Sequence, residues 1–182
     1  MANENKMEFV ILGLLSHTPM TGYDMKKIMD TTMSLFWSGS YGSIYPTLQR
    51  LRGNESIVSN ETTENGRDKI IYSITDKGRE RLRQWLKKPV IKDELRYETL
   101  MKLFFGNEIG EEVTLKHIQE FEDKMKQVIP NLKSSIDILN GDVSEPTHEY
   151  YMLTALFGIK MYEASIEWCE FVKKYFEGKE GK

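Results

Sequence analysis

The chain has 182 residues, 40% hydrophobic and 29% charged, which is enough apolar material for one packed domain or two small ones and too much for a disordered segment. The formal charge is −3, with one cysteine, Cys169, and three scattered histidines, His17, His117 and His148, so an internal disulfide is excluded and no metal-ligand spacing is present. The first residues lack the basic start, apolar run and cleavage site of a secretory signal, and no apolar stretch reaches membrane-spanning length, so a cytoplasmic protein without membrane contact is expected.

Free cysteine is among the most buried residue types, and Cys169 is expected inside a helix. The net charge hides an asymmetry. Residues 1–91 carry 13 Lys+Arg against 10 Asp+Glu, and residues 92–182 carry 12 against 18, giving +3 and −6. A basic half suits a nucleic-acid partner and an acidic half faces elsewhere, although ordinary solvated surfaces would give the same count.

Phe9, Val10, Ile11, Leu12, Leu14 and Leu15 predict a short apolar helix that stops between Ser16 and Pro19, because the residue before a proline is pushed out of helical geometry. Thr21 then offers its side-chain oxygen to the next helix, with Asp24 completing an imperfect capping box. Tyr23, Ile28 and Met29 are read as the inward face of this second helix, which runs to about Asp30. Thr31 to Gly39 is a linker whose Leu35, Phe36 and Trp37 are expected to seal the core.

Gly39 to Leu51, GSYGSIYPTLQRL, is the most informative stretch. Ile44, Leu48 and Leu51 recur at spacings of four and three and anchor a third helix, while Tyr41, Ser43, Tyr45, Thr47, Gln49 and Arg50 take other directions. Pro46 is tolerated only where its missing amide would be unbonded, so regular helix begins near Ser43 or bends between Gly42 and Pro46. Either way the polar amino-terminal end is exposed, and that is the end helix-turn-helix proteins present to base edges. Packing of Tyr45 against the first helix is the competing reading for that residue.

Ser56 to Thr62 and Lys69 to Thr75 predict a strand pair across a polar turn, Thr63 to Asp68. Its Asn65-Gly66 supplies the positive backbone angles of a tight hairpin. Arg67 and Lys69 place basic charge on this hairpin, within reach of phosphates or a minor groove. Thr75 caps a further helix, Asp76 to Lys88, with Leu82, Trp85 and Leu86 inward and Arg79, Arg81, Arg83, Lys87 and Lys88 on its surface; Pro89 ends it.

The second half predicts three amphipathic helices. Leu95, Thr99, Met101, Leu103 and Phe104 lie on one. Val113, Ile118, Phe121, Met125, Val128 and Ile129 lie on a long second, kinked at Pro130 and continued by Leu132, Ile136 and Leu139. After a loop from Asn140 to Pro146, residues Leu153 to Tyr175 form the third. Apolar faces this wide cannot all hide against one another, so burial against a second copy is expected.

The order helix, helix, helix, strand, wing, strand, helix describes a winged helix-turn-helix. The segments MEFVILGLLSHTPMTGYDMKK, GSIYPTLQRL and IYSITDKGRERL resemble the amino-terminal domain of the PadR-like transcriptional regulators. DELRYETLMKLFFGN, residues 93–107, resembles the start of the helical carboxy-terminal domain of the longer, virulence-activator type. Two departures stand out: Asn54-Glu55-Ser56, where the family usually carries a Gly and an apolar residue, and Lys69-Ile70-Ile71, more apolar than the basic and aromatic run expected there.

The resemblance implies a mainly α fold with a small β-hairpin. A winged helix-turn-helix domain over 1–90 would be followed by an all-α dimerisation domain over 91–182. It further implies a homodimeric repressor on a palindromic operator in double-stranded DNA, relieved by a small hydrophobic or aromatic effector. Aromatic residues such as Trp85, Tyr97, Phe104, Phe105, Tyr150, Tyr151 and Trp168 are available to line an effector cavity, and core packing is their other use. The candidate DNA-contacting residues are Thr21, Tyr23 and Lys26 on the second helix, Ser40, Tyr41, Ser43, Tyr45 and Arg50 on the third, and Arg67 and Lys69 on the wing. No cofactor is expected. With no nucleophile beside a base, no phosphate-cradling loop and no informative carboxylate pair, neither is an enzyme. The alternative function is a winged-helix protein interaction module without DNA binding.

Overall fold

The computed structural model describes residues 5–178 except 35, 65, 66, 94, 95 and 142–145, and leaves out the side chains of 63, 64, 67, 140, 141 and 146. Leu35, the Asn65-Gly66 turn, Leu95 and most of the Asn140 to Pro146 loop therefore lie outside the described residues. The chain divides into two compact units, Met1–Asp93 and Glu94–Lys182.

In the first unit α1 (Lys6–His17), α2 (Gly22–Thr31) and α3 (Tyr41–Gly53) precede β1 (Ile57–Glu64), β2 (Arg67–Ile74) and α4 (Asp76–Leu86). Each helix start has a local chemical cause. Asn5 accepts from the Met7 amide at 3.1 Å, and Thr75 accepts from the Gly78 amide at 3.1 Å. Thr21 and Asp24 satisfy each other's backbone amides at 3.1 and 3.2 Å, a full capping box. Caps of this kind contribute about 1 kcal/mol each. Ile11, Leu12 and Leu15 of α1 form the centre of the core, surrounded by Met25, Met29, Ile44, Leu48, Leu51, Ile57, Tyr72 and Leu82. Full burial of a Leu or Ile side chain is worth about 1.5–3 kcal/mol, so this cluster decides which faces turn inward.

Four expected orientations are corrected by that cluster. Tyr23 is 63% exposed; the inward face of α2 is Gly22, Met25 and Met29, a phase the sequence hid because Gly22 carries no apolar side chain. Leu86 is 64% exposed, since α4 ends there and its inward residues are Gly78, Leu82 and the half-buried Trp85. Phe36 is exposed and does not seal the core, whereas Trp37 is half-buried. Thr47 is 1% exposed and points inward; its hydroxyl donates to the Ser43 carbonyl at 2.7 Å, so burial leaves no orphaned group.

The helix carrying Pro46 starts at Tyr41, two residues earlier than one of the sequence readings placed it. Pro46 has no amide to donate back to the Gly42 carbonyl, and the helix continues through this one missing bond. The strands pair antiparallel from Ile57↔Ile74 to Glu64↔Arg67, so the ladder extends beyond the expected strand ends and leaves two residues between its last pair. A third chain segment joins the sheet: Met20 pairs with Tyr72, with backbone bonds of 3.2 and 3.0 Å.

At the strand entry Glu55 has a φ of +60°, a left-handed conformation that favours glycine, within the Asn54-Glu55-Ser56 stretch singled out in the sequence. The wing is bound to α4 by a close approach. A Cβ on Gly78 would lie 2.1 Å from the Ser56 carbonyl oxygen, so only glycine fits.

The second unit contains α5 (Glu98–Phe104), a 3-10 turn at Gly106–Glu108, α6 (Glu111–Gly141) and α7 (Pro146–Glu177). α6 runs through Pro130 as one helix. α6 and α7 pack along each other around Ile118, Phe121, Cys169 and Val172, flanked by Tyr97, Leu103, Met125, Trp168 and Phe176. Burial, and secondarily the nearby Glu122, pushes the Cys169 thiol up to about 11. Glu122 is fully buried. Burial alone would raise its carboxyl, but a hydrogen bond from Lys173 and the Lys126 ammonium 2.9 Å away outweigh it and hold the group below the usual carboxylate range.

Candidate nucleic-acid interface

The exposed side of α3 follows from its buried one. At about 100° per residue, the buried Ile44, Thr47, Leu48 and Leu51 place Gly42, Pro46, Gln49 and Gly53 at the centre of the outward side. Tyr45 and Arg50 lie at its margins. No residue of α3 is acidic, and Arg50 and Arg52 lie in its last turn. The amino-terminal end, where unpaired amides and the helix dipole favour anions, is therefore free of competing negative charge on its own helix.

At that end Ser43 Oγ accepts from the Ser40 amide at 3.0 Å and donates to the Ser40 carbonyl at 2.8 Å. The two expected serines are brought together, and each takes part in fixing the helix start. The Tyr45 ring sits against Gly22 of α2, where an added Cβ would meet the ring at 3.0 Å. Tyr41 stacks on Tyr45 with ring centroids 6.0 Å apart, and the Lys26 ammonium lies 5.9 Å from the Tyr41 ring while paired with Asp30. Lys26, Tyr41, Tyr45 and Gly22 thus form one pile across the α2–α3 junction. Beside it an open groove of about 860 Å³ includes Lys6, Lys26, Trp37, Ser40 and Ser43 in its lining.

Arg50 is held from two sides. It donates to Thr47 Oγ1 at 2.8 Å, and its Nε lies 3.4 Å from Glu8 of α1. Glu8 is only 12% exposed and is shared with Arg81 of α4, whose guanidinium also stands over the Phe9 ring at 5.7 Å. Phe9 in turn stacks on Trp85 at 4.6 Å. Sequence reading missed Glu8, an acidic residue in the first turn of an apolar helix; the only signal was a charge where core residues dominate. It also left Gln49 among residues merely pointing elsewhere, although the spacing of the apolar anchors is enough to place it at the centre of the outward side.

Of the remaining candidates, Thr21 is committed to its cap and Tyr23 is exposed one residue beyond Gly22. On the wing Lys69 is exposed opposite Thr62, and Arg67 opens β2 opposite Glu64, its side chain lying outside the described part. Trp85 stacks on Phe9, Tyr97 and Trp168 both edge onto Phe121, and Phe104, Phe105, Tyr150 and Tyr151 are exposed.

Comparison with known proteins agrees with this architecture. Residues 11–84 match the "Transcriptional regulator PadR-like family" and residues 95–177 the "Virulence activator alpha C-term" domain. The "Negative transcriptional regulator PadR" of Bacillus subtilis is 28% identical over 138 residues, 74% of this chain and 71% of that protein. The crystal structure of the PadR-like transcriptional regulator BC1756 from Bacillus cereus superposes with a TM-score of 0.77 at 29% identity, covering 95% of this chain and 99% of that one. The B. subtilis PadR structure in complex with operator DNA superposes with a TM-score of 0.78 at 23% identity, covering 93% and 97%. The same regulator in complex with p-coumaric acid gives 0.70 at 23%, covering 94% and 98%. From the helix-hairpin order and these two adjoining matches, the chain belongs to the PadR-like family of transcriptional regulators.

Proposed function

We propose that this protein is a cytoplasmic, homodimeric, sequence-specific repressor that binds a palindromic operator in double-stranded DNA. It inserts α3 into the major groove, and the wing lies against the flanking backbone. The observation that carries the reading is the outward side of α3: exposed, capped, free of acidic residues and adjoining a hairpin that bears Arg67 and Lys69. On this reading Thr21, Tyr23, Lys26, Ser40, Tyr41, Ser43, Tyr45 and Arg50 contact the DNA together with Arg67 and Lys69, and the start of α3 suits a phosphate. The relative solved with operator DNA supports the same use of the fold.

A second copy is supported by apolar side chains that the second unit leaves uncovered. Tyr150, Leu153, Phe157, Phe171 and Tyr175 are exposed on α7, and Leu100, Met101 and Phe104 on α5. Surfaces of this kind mark an interface. A two-fold axis would present two reading helices to half-sites about one helical turn, roughly 34 Å, apart. The relative solved with p-coumaric acid supports a small hydrophobic or aromatic effector that relieves repression.

Fluorescence anisotropy on duplexes from upstream of the protein's own gene tests the reading. With six to ten phosphate contacts, affinity should fall by about 10³–10⁵ between 50 and 200 mM salt. A sedimentation experiment should give twice the chain mass. A monomer with salt-insensitive or absent DNA binding would instead favour a protein interaction module.

A further inference from the structure

The structure points to Gln49 as the side chain of α3 that reads sequence, and to the A·T base pair as what it reads; this rests on the DNA-binding reading above. The other polar side chains of α3 have prior commitments. Ser43 serves Ser40, and Thr47 is buried beneath the Ser43 carbonyl and Arg50. Tyr41 and Tyr45 stack on each other, with the Tyr45 ring against Gly22. Arg50 is held by Glu8 and Thr47, and Arg52 stands close enough to Tyr72 to lower its phenol against the larger raising effect of burial. Gln49 is exposed and, among the described residues, makes no hydrogen bond, ion pair or ring contact.

Position reinforces this. Gln49 lies at the centre of the outward side, and its neighbours there, Gly42, Pro46 and Gly53, bring no side-chain donor or acceptor. Nor does the protein's own packing require those glycines. A Cβ at Gly53 would meet nothing within 4 Å, and one at Gly42 only Ser40 Oγ at 3.7 Å. The Gln49 amide therefore extends beyond a low surface and can reach the floor of a groove.

A carboxamide offers one donor and one acceptor in a plane. Adenine presents N7 as acceptor and N6–H as donor in the major groove, and glutamine meets both at once. Guanine presents two acceptors there, which suit arginine instead. A bidentate pair of this kind discriminates by roughly 5- to 150-fold.

The test uses the full-length protein and a randomised duplex pool. The wild type should enrich a sequence with an adenine at one position of each half-site. Replacing that adenine by 7-deaza-adenine, which lacks N7, should weaken binding by about 5- to 150-fold. Gln49→Ala should melt at the wild-type temperature, bind the enriched duplex more weakly and no longer distinguish the two adenines. Gln49→Arg should enrich guanine at the same position, a gain that a folding defect cannot produce. The assignment is overturned if Gln49→Ala keeps the penalty for 7-deaza-adenine or if Gln49→Arg selects the wild-type base. Enrichment of no sequence by the wild type overturns the DNA-binding reading and this assignment with it. A sequence enriched identically by all three proteins overturns only Gln49.

Discussion

Two helical glycines should respond to alanine with opposite signs. In α4 the substitution Gly78→Ala gains at most about 1 kcal/mol of helix propensity. Against that, the new Cβ would lie 2.1 Å from the Ser56 carbonyl oxygen and 2.9 Å from Ile74 Cγ1. A carbon needs about 3.3 Å from a carbonyl oxygen, so α4 and the wing must separate by about 1 Å. Overpacking of this sort costs about 1–3 kcal/mol. The separation also strains the Thr75 hydroxyl, whose one proton is shared between the Glu55 and Ser56 carbonyls at 2.8 and 3.0 Å, and the bond from the Thr75 amide to Ser56 at 3.1 Å, each of these two donors worth about 1 kcal/mol. The net loss should be about 2–4 kcal/mol. In α1, Gly13→Ala adds a Cβ that meets nothing within 4 Å, so it should gain up to about 1 kcal/mol. Urea titrations of the full chain, followed by far-ultraviolet circular dichroism, would measure both. A Gly78→Ala midpoint equal to or above wild type would refute the close-approach argument, and a Gly13→Ala loss beyond about 1 kcal/mol would refute the reading of open space around α1.

Glu8→Gln removes the charge shared by Arg50 and Arg81 and should destabilise the chain by about 1–2 kcal/mol, the half-exposed Arg50 contributing the smaller part; a variant as resistant to urea as the wild type would sink the clamp. Glu55→Gly relieves a left-handed conformation and should stabilise by about 0.5–1 kcal/mol after the extra unfolded-state entropy of glycine is subtracted, read as a rise in melting temperature. Cys169, with its thiol pushed up to about 11, should resist Ellman's reagent at pH 8 until urea unfolds the chain, and rapid native labelling would contradict its burial. The Glu122 carboxyl is lowered in the folded state, so its contribution is present above the unfolded carboxylate value of about 4.3 and lost as pH falls through the lower folded one. Glu122→Gln should flatten that acid limb, and superimposable acid-unfolding curves for the two proteins would disprove the linkage.

Local chemistry made much of the first unit legible. The β-branched runs of the two strands, Thr21 before Asp24, and Thr75 before a basic amphipathic run each carry a cause within four residues. The rest has two sources, buried positions that carry no apolar mark and contacts made far along the chain. Tyr23 reads as inward in the sequence because Gly22, which occupies the buried position against the Tyr45 ring, has no hydrophobicity to register. Thr47 reads as turned away from the anchoring face because a hydroxyl satisfied by its own helix looks the same in sequence as one facing water. The Met20–Tyr72 pairing spans 52 positions and had no local signal. Arg50 drew attention as a basic residue on the reading helix, but the carboxylate that restrains it is 42 residues away. Within the candidate site, types and direction were readable from spacing; which side chains were already occupied was not.

The Met20–Tyr72 bridge has a mechanical consequence. It ties the turn before α2 to the second wing strand, while the adjoining Gly22 supports the Tyr45 ring of the reading helix. Neither α3 nor the wing can swing far without dragging the other. If the proposed DNA binding holds, adjustment to operators of differing groove width falls to rigid displacement of the whole head, and the shape of its grip exists before any encounter.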